Sequence, residues 1–254
     1  MTAIKQLFLL AVGGCAACLA LGAPPASGQQ TAVSAQVELI RASPIEKSST
    51  PVAGEKNEQD VVIWLKPLDR NAVLQTTARA NSKRPMLVQK DKSFTPHLLV
   101  VEVGSSVDFP NRDPFFHNVF SLFDGKRFDL GLYEAGATNS VRFDRVGVSF
   151  LFCNIHPQMS AVVVAVDTPY YGKTDHSGRV TLNDVPEGRY EIHVWYERAL
   201  PEELKNLTRV VTLSGSTFNL GTLRIPENQN FTPAHKNKYG QDYTPPPTNG
   251  YEHP

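Results

Sequence analysis

Short apolar runs broken by turn-forming residues recur along this chain, and none repeats with the 3.6-residue spacing of a buried helix face. Val37-Glu38-Leu39-Ile40 and Val61-Val62-Ile63-Trp64-Leu65 are rich in β-branched residues. Pro44, Pro51 and Gly54 lie between them, so the two runs predict strands joined by a long polar loop. From Pro85 onward the pattern sharpens. Leu98-Leu99-Val100-Val101-Glu102-Val103, Gly104, Val107-Asp108-Phe109 and Pro110-Asn111-Arg112-Asp113 read as strand, turn, strand and loop. Runs at 140–143, 148–153 and 161–166 are short and turn-bounded in the same way, which predicts an all-β sandwich.

A second module starts after Asp167-Thr168-Pro169, with polar turns at 174–179 and 185–190. Within it Tyr190, Ile192, Val194 and Tyr196 alternate with Glu191, His193, Trp195 and Glu197, a strand with two different faces. From 226 to 254 the prolines, asparagines and tyrosines lack apolar periodicity and read as a disordered tail.

A length of 254 residues accommodates two compact β domains with real cores. Lys plus Arg and Asp plus Glu balance at 25 each, so no overall field draws the chain to nucleic acid or to an acidic membrane surface. Partner choice then falls to local patches.

Residues 1–28 carry Lys5, an apolar stretch from Leu7 to Leu21 and the small-residue run Ala23-Pro24-Pro25-Ala26-Ser27-Gly28, the layout of a secretory signal peptide. The apolar stretch is short for a bilayer and is interrupted by Gly13 and Gly14, so no membrane span is expected in the mature chain. The expected location is periplasmic or secreted. Val12-Gly13-Gly14-Cys15 loosely resembles a lipoprotein cleavage box, and a lipid anchor at Cys15 is the alternative. Cys15 and Cys18 fall inside the segment to be removed, which leaves Cys153 as the sole mature cysteine with no internal disulfide partner. A lone thiol in an oxidising compartment is a liability unless it is buried or bound.

Cys153-Asn154-Ile155-His156-Pro157-Gln158-Met159 places a thiolate, an imidazole and a thioether at intervals of three residues, at a strand end and in the loop that follows. His117, in Phe115-Phe116-His117-Asn118-Val119, supplies a second imidazole upstream. Two histidines and a thiolate in a trigonal arrangement, with a weak axial methionine, make a blue-copper site. Thiolate favours Cu(I) and imidazole accepts Cu(II), so one copper ion held by His117, Cys153, His156 and Met159 tolerates both oxidation states. Each ligand also has a plainer reading: an inert buried thiol, a core histidine, a surface loop residue, a core methionine. Structural zinc sites use more thiolates or a paired-histidine motif and rarely recruit methionine. A Cys-His hydrolase would need an orienting carboxylate and an oxyanion-stabilising motif, and neither is visible near Cys153 and His156. His97 reads as a turn residue, and His176, His193, His235 and His253 as solvated groups.

These residues carry a resemblance to the cupredoxins, nearest in pattern to amicyanin and plastocyanin. Asn111-Arg112-Asp113-Pro114-Phe115-Phe116-His117-Asn118-Val119 matches the segment before the first ligand, and the C-x-x-H-x-x-M loop is the short, amicyanin-like form. Chains of this kind often carry the label methylamine-utilisation protein, from which no substrate is inferred. The resemblance implies an N-terminal cupredoxin Greek-key sandwich at 29–167, with its core at 85–167. It implies an electron carrier, not an enzyme, serving redox partner proteins outside the cytoplasm. It gives Asn118 the role of tying the two ligand loops together by hydrogen bonding, and makes His156 the point where electrons leave. Pro114, Phe115, Ile155 and Pro157 would then form an apolar docking rim; the alternative is that Phe115 packs into the core beside Phe116. Residues 168–225 resemble a smaller transthyretin-like sandwich related to carboxypeptidase regulatory domains, on the strength of the turn pattern and Val185-Pro186-Glu187-Gly188-Arg189-Tyr190. A second reading of the whole is a copper-binding cell-envelope module that contacts glycan or protein through this domain without redox turnover.

Overall fold

The computed structural model describes residues 30–40, 60–69, 84–122, 125–228, 231 and 235–243. The segment expected to be a signal peptide, with Cys15 and Cys18, lies outside these residues, as does His253. Among the described residues no helix is long and apolar enough to cross a membrane.

The described residues are nearly all β, as the alternation predicts, and their strands form two sandwiches stacked against each other. The first is assembled from strands far apart in sequence. Strand β1 (Gln30–Ile40) lies between β13 (Arg179–Pro186) and β16 (Thr217–Pro226), antiparallel to the former and parallel to the latter. Strand β2 (Val62–Pro67) lies between β12 (Tyr171–Lys173) and β14 (Gly188–Trp195), and β15 (Arg209–Leu213) completes that sheet beyond β14. Val33, Ala35 and Val37 of β1 meet Val61, Ile63 and Leu65, Tyr190, Ile192 and Val194, and Leu223 and Ile225 in one apolar core. Among the described residues there is one short helix, α1 (Pro201–Asn206), which begins with proline and carries Glu202 and Glu203 in its first turn, where their charges oppose the helix dipole. Six residues are too few to show a helical period in the sequence.

This pairing corrects the expected domain layout. Strands at 30–40 and 62–67 were assigned to the same sandwich as 85–167, yet every sheet partner of β1 and β2 comes from beyond residue 170. The sandwich of residues 85–166 is therefore inserted between β2 and β12 of the other. Alternation tells which face of a strand is buried but not which sheet receives it, and a long insertion hides the true partners.

The inserted sandwich has a five-stranded sheet ordered β5 (Leu98–Glu102), β11 (Ser160–Val166), β10 (Gly147–Phe152), β7 (His117–Ser121) and β8 (Phe128–Tyr133). The facing sheet joins β3 (Val88–Lys90) and β4 (Ser93–Thr95) to β6 (Ser106–Pro110) and β9 (Thr138–Arg142) through bridges Met86 to Asp108 and Gln89 to Asn111. The period of two divides β11 between two cores. Ala161, Val163 and Ala165 face the interior of this sandwich, with Val107, Phe109, Phe143 and Leu151. Val162, Val164 and Val166 face outward against Val62, Trp64, Tyr171 and Trp195 of the other sandwich. That apolar seam makes the assembly a continuous stack of sheets and explains why residues 161–166 are buried on both faces.

Candidate metal centre

Strands β7 and β10 are antiparallel neighbours, with Phe120 opposite Phe152, so the start of β7 and the end of β10 lie at the same end of the sheet. His117 opens β7, and Cys153 follows β10. The loop from 153 to 159 is closed at its base by the Cys153 N–H donating to the Met159 carbonyl at 3.3 Å. A second bond, from Met159 N–H to the His156 carbonyl at 3.1 Å, turns the chain sharply enough to bring His156 back over Cys153.

Three donor atoms converge there. Nδ1 of His156 is 3.2 Å from Nδ1 of His117, and Sγ of Cys153 is 3.5 Å from the former and 3.8 Å from the latter. A point equidistant from all three lies about 2.0 Å from each, close to the length of a first-row metal bond to imidazole. The donor set of one thiolate and two imidazoles suits copper. The residues present therefore fit a copper ion.

Burial is graded across the group. His117 and Cys153 are fully buried, His156 is half-buried, and Met159 is buried in the same core cluster as Cys153. Burial first, then the positive fields of His117 and Lys92, holds His156 below the ordinary imidazole pKa, against a small opposing effect of Asp113. A neutral imidazole is the form that binds metal.

Behind the first histidine stands a residue that the motif left without a role. Asp113 Oδ2 lies 2.7 Å from Nε2 of His117, the nitrogen facing away from the cluster. Burial pushes the Asp113 carboxyl up, but the N–H of Lys92, the ring of His117 and the N–H of Asp91 together outweigh it, so its pKa is lowered and the group is ionised. An ionised acceptor fixes the N–H of His117 on Nε2 and frees Nδ1 for a metal. Asp113 is held in turn by its own N–H to Asn111 Oδ1 at 3.0 Å, and Asn111 Nδ2 donates to the Phe115 carbonyl at 2.8 Å. Tyr133 hydroxyl, itself bonded to Gln89 Nε2, donates to the Phe109 carbonyl at 3.0 Å, which pins the strand leading into this loop. The N-x-D spacing four residues before His117 was the available signal.

Asn118 does not tie the two ligand loops directly. Its Nδ2 donates to Asp129 Oδ1 at 2.7 Å and to the Gly131 carbonyl at 2.9 Å, both on β8. Of the residues expected to form a rim, Pro114, Ile155 and Pro157 are exposed, and Phe115 is half-buried with its ring 5.2 Å from that of His117 and 5.7 Å from that of His156. Phe115 packs on the imidazoles and not into a core beside Phe116, which is 54% exposed.

The segment expected to be a disordered tail also reaches the site. Within 235–243, Tyr243 hydroxyl donates to the Cys153 carbonyl at 2.7 Å, and the His235 ring stacks on Phe152 at 3.9 Å. Of the remaining histidines, His97 bonds Glu197, His193 pairs with Glu191 and stacks on Trp64, and none joins a second cluster of metal-ligating groups among the described residues.

No family model matches the chain, and no curated protein matches it. Solved structures do. A purple cupredoxin from Nitrosopumilus maritimus is similar over 32% of this chain and 99% of its own, at 22% identity and a TM-score of 0.30. An amicyanin variant in the Cu(I) state is similar over 32% of this chain and 80% of its own, at 21% identity and a TM-score of 0.30. The likeness is to cupredoxins, and it is distant. A Cu-containing nitrite reductase from Thermus scotoductus SA-01 is also similar, over 40% of this chain, at 23% identity and a TM-score of 0.33. The chain spans only 27% of that protein's length. This match corrects the expectation of a protein that is not an enzyme: an enzyme stands among the structures the chain resembles, and the exclusion of catalysis is withdrawn.

Proposed function

We propose that this chain binds one copper ion through His117, Cys153 and His156, with Met159 as a further, weak ligand, and passes single electrons to redox partner proteins outside the cytoplasm. The observation that carries the reading is the convergence of one buried thiol and two imidazole nitrogens within 3.8 Å of one another. Bound copper would supply a one-electron couple.

The chain's own residues prepare that couple. Asp113 holds His117 in one tautomer and one orientation, so little rearrangement accompanies a change of charge at Nδ1. Phe115 lies against both imidazoles and keeps water from their faces. His156 is the ligand nearest solvent, between exposed Ile155 and Pro157, which makes it the natural exit for an electron. The apolar rim of Pro114, Phe115, Ile155 and Pro157 suits a brief encounter that buries little surface. With no net charge on the chain, docking should depend only mildly on ionic strength.

The test is to add Cu(II) to the purified protein, record its visible spectrum and titrate it with reductant. Expected are a strong thiolate-to-copper band, its loss in Cys153→Ser, and a reversible couple. Copper bound without an accessible couple would favour a storage or cell-envelope interaction role, and an unchanged band in Cys153→Ser would overturn the ligand assignment.

A further inference from the structure

The residue after each of two metal ligands carries a polar side chain: Asn118 after His117 and Asn154 after Cys153. A direct bond between the two ligand loops would be the shortest way to fix their separation, and Asn118 does not make one. Its amide turns to β8, where Asp129 Oδ1 accepts it at 2.7 Å. The other oxygen of the same carboxylate accepts Lys238 Nζ at 2.8 Å, and the backbone N–H of Lys238 donates to Asn154 Oδ1 at 3.0 Å. The path from one ligand loop to the other thus runs Asn118, Asp129, Lys238, Asn154, and its third member belongs to the C-terminal segment.

Two further contacts bring the same segment against the Cys153 strand. Tyr243 donates to the Cys153 carbonyl at 2.7 Å, and His235 stacks on Phe152 at 3.9 Å with its Nδ1 3.3 Å from the Tyr243 hydroxyl. The segment is shaped for this. Asn237 Oδ1 accepts the N–H groups of Tyr239 and Gln241, and Gly240, at φ 76°, supplies the left-handed turn that returns the chain from Lys238 toward Tyr243.

We propose that residues 235–243 are a structural part of the metal centre, a clasp that links the two ligand loops through Lys238 and steadies Cys153 through Tyr243. The proposal rests on the metal-binding reading for its purpose but on these contacts for its existence. Asp129 suits the junction: burial pushes its carboxyl up, but Lys238, the Gly131 N–H and Asn118 outweigh this and keep it ionised. Tyr243 and Lys238 are positioning residues, since both act on the ligands through the backbone or through another side chain.

Full-length Tyr243→Phe and Lys238→Met proteins test the clasp, with Lys238→Arg as the conservative rescue and Asp242→Ala, whose side chain is exposed in the same segment, as control. In metal-free protein, the amides of Cys153 and Met159 should exchange with solvent about tenfold faster in the first two variants, the loss expected for one hydrogen bond. Lys238→Arg should return to within about twofold of wild type. In copper-loaded protein, the same two variants should shift the thiolate band and release copper to a competing chelator about tenfold faster. Exchange and release at wild-type rates in both variants would overturn the clasp, as would an equal loss in Asp242→Ala. If wild type takes up no copper, the metal reading fails and the exchange rates in metal-free protein still decide the clasp. Should Lys238→Met lower the melting temperature of the whole chain, Asn154→Ala, which removes only the acceptor on the loop, gives the same comparison.

Discussion

In the inserted sandwich Gln89, Asn111, Asp113, His117 and Asn118 are all buried, whereas among the described residues of the enclosing sandwich the buried polar side chains are the threonines Thr31, Thr168 and Thr174. The threonines serve the backbone. Thr31 donates to the Gly215 carbonyl, Thr168 donates to that of Leu65, and Thr174 accepts the Val61 N–H, so each closes a strand end with one short bond. The polar groups of the inserted sandwich instead shape the loop behind the site: the Asn111 amide donates to the Phe115 carbonyl and accepts the Asp113 N–H, and the Asp113 carboxylate holds the ring of His117. Burying amides and an ionised group costs free energy that apolar packing would not incur, and it is tolerated where the groups are paired. One sandwich is built for stability, the other to hold a small set of atoms in place.

The comparison breaks most severely if the stable partner is weakened. Leu65 is fully buried on β2, in the core of the enclosing sandwich, and its strand packs through Val62 and Trp64 on the inserted one. Leu65→Ala should cost about 2–5 kcal/mol. Because both ends of the inserted sandwich are anchored in the other, calorimetry and the visible band should report one shared transition at a lowered temperature, with the band at low temperature unmoved. A band that outlasts the calorimetric transition would show two independent units.

Asp113→Asn sharpens the same contrast from the other side. The amide is nearly the same size, so packing is kept, but the ionised acceptor behind His117 is gone. A less basic imidazole supports Cu(II) less well than Cu(I). The expected outcome is a higher reduction potential and Cu(II) affinity lowered about 10–100-fold, measured by redox titration and chelator competition, with a modest loss of stability in the metal-free protein because the amide NH2 meets one of the N–H groups of Asp91, Lys92 or His117. An unaltered potential would make Asp113 a packing residue only.

How much of this was legible beforehand differs between the same two regions. Cys153, His156 and His117 could be read because metal chemistry demands particular residue types at short spacing, and the strands at 98–103, 107–109, 148–153 and 161–166 because alternation and turns are local. The placement of β1 and β2 was not, since Val33, Ala35 and Val37 would suit the inner face of either sandwich. The segment at 235–243 was not either. Its attachment depends on single side chains, Tyr243, Lys238 and His235, which leave no periodic trace. Asp113 stood in plain view within Asn111-Arg112-Asp113, but a carboxylate four residues before a histidine acquires meaning only once the loop folds it back to 2.7 Å.

The smallest expected effect lies on the seam between the regions. His97, in the turn before β5, sits 2.7 Å from Glu197 of the enclosing sandwich, and its other nitrogen meets the Ser160 carbonyl at 3.1 Å. The Glu197 hydrogen bond raises the His97 pKa above its ordinary 6.5; burial opposes this, and the charge of Glu197, the Ser160 carbonyl and Asp60 add to it. A histidine whose folded pKa is raised binds its proton more tightly in the folded state. Its contribution is therefore fully present below 6.5 and disappears as pH rises through the elevated folded value. The ring is partly exposed, so solvent screening keeps the effect small. His97→Gln should lower the melting temperature by a degree or two at about pH 5.5 and by less at about pH 9, while leaving the visible band in place at both. A mutant that loses equal stability at the two pH values would show that His97 joins the sandwiches by packing alone, and one that gains on acidification would reverse the sign assigned to Glu197.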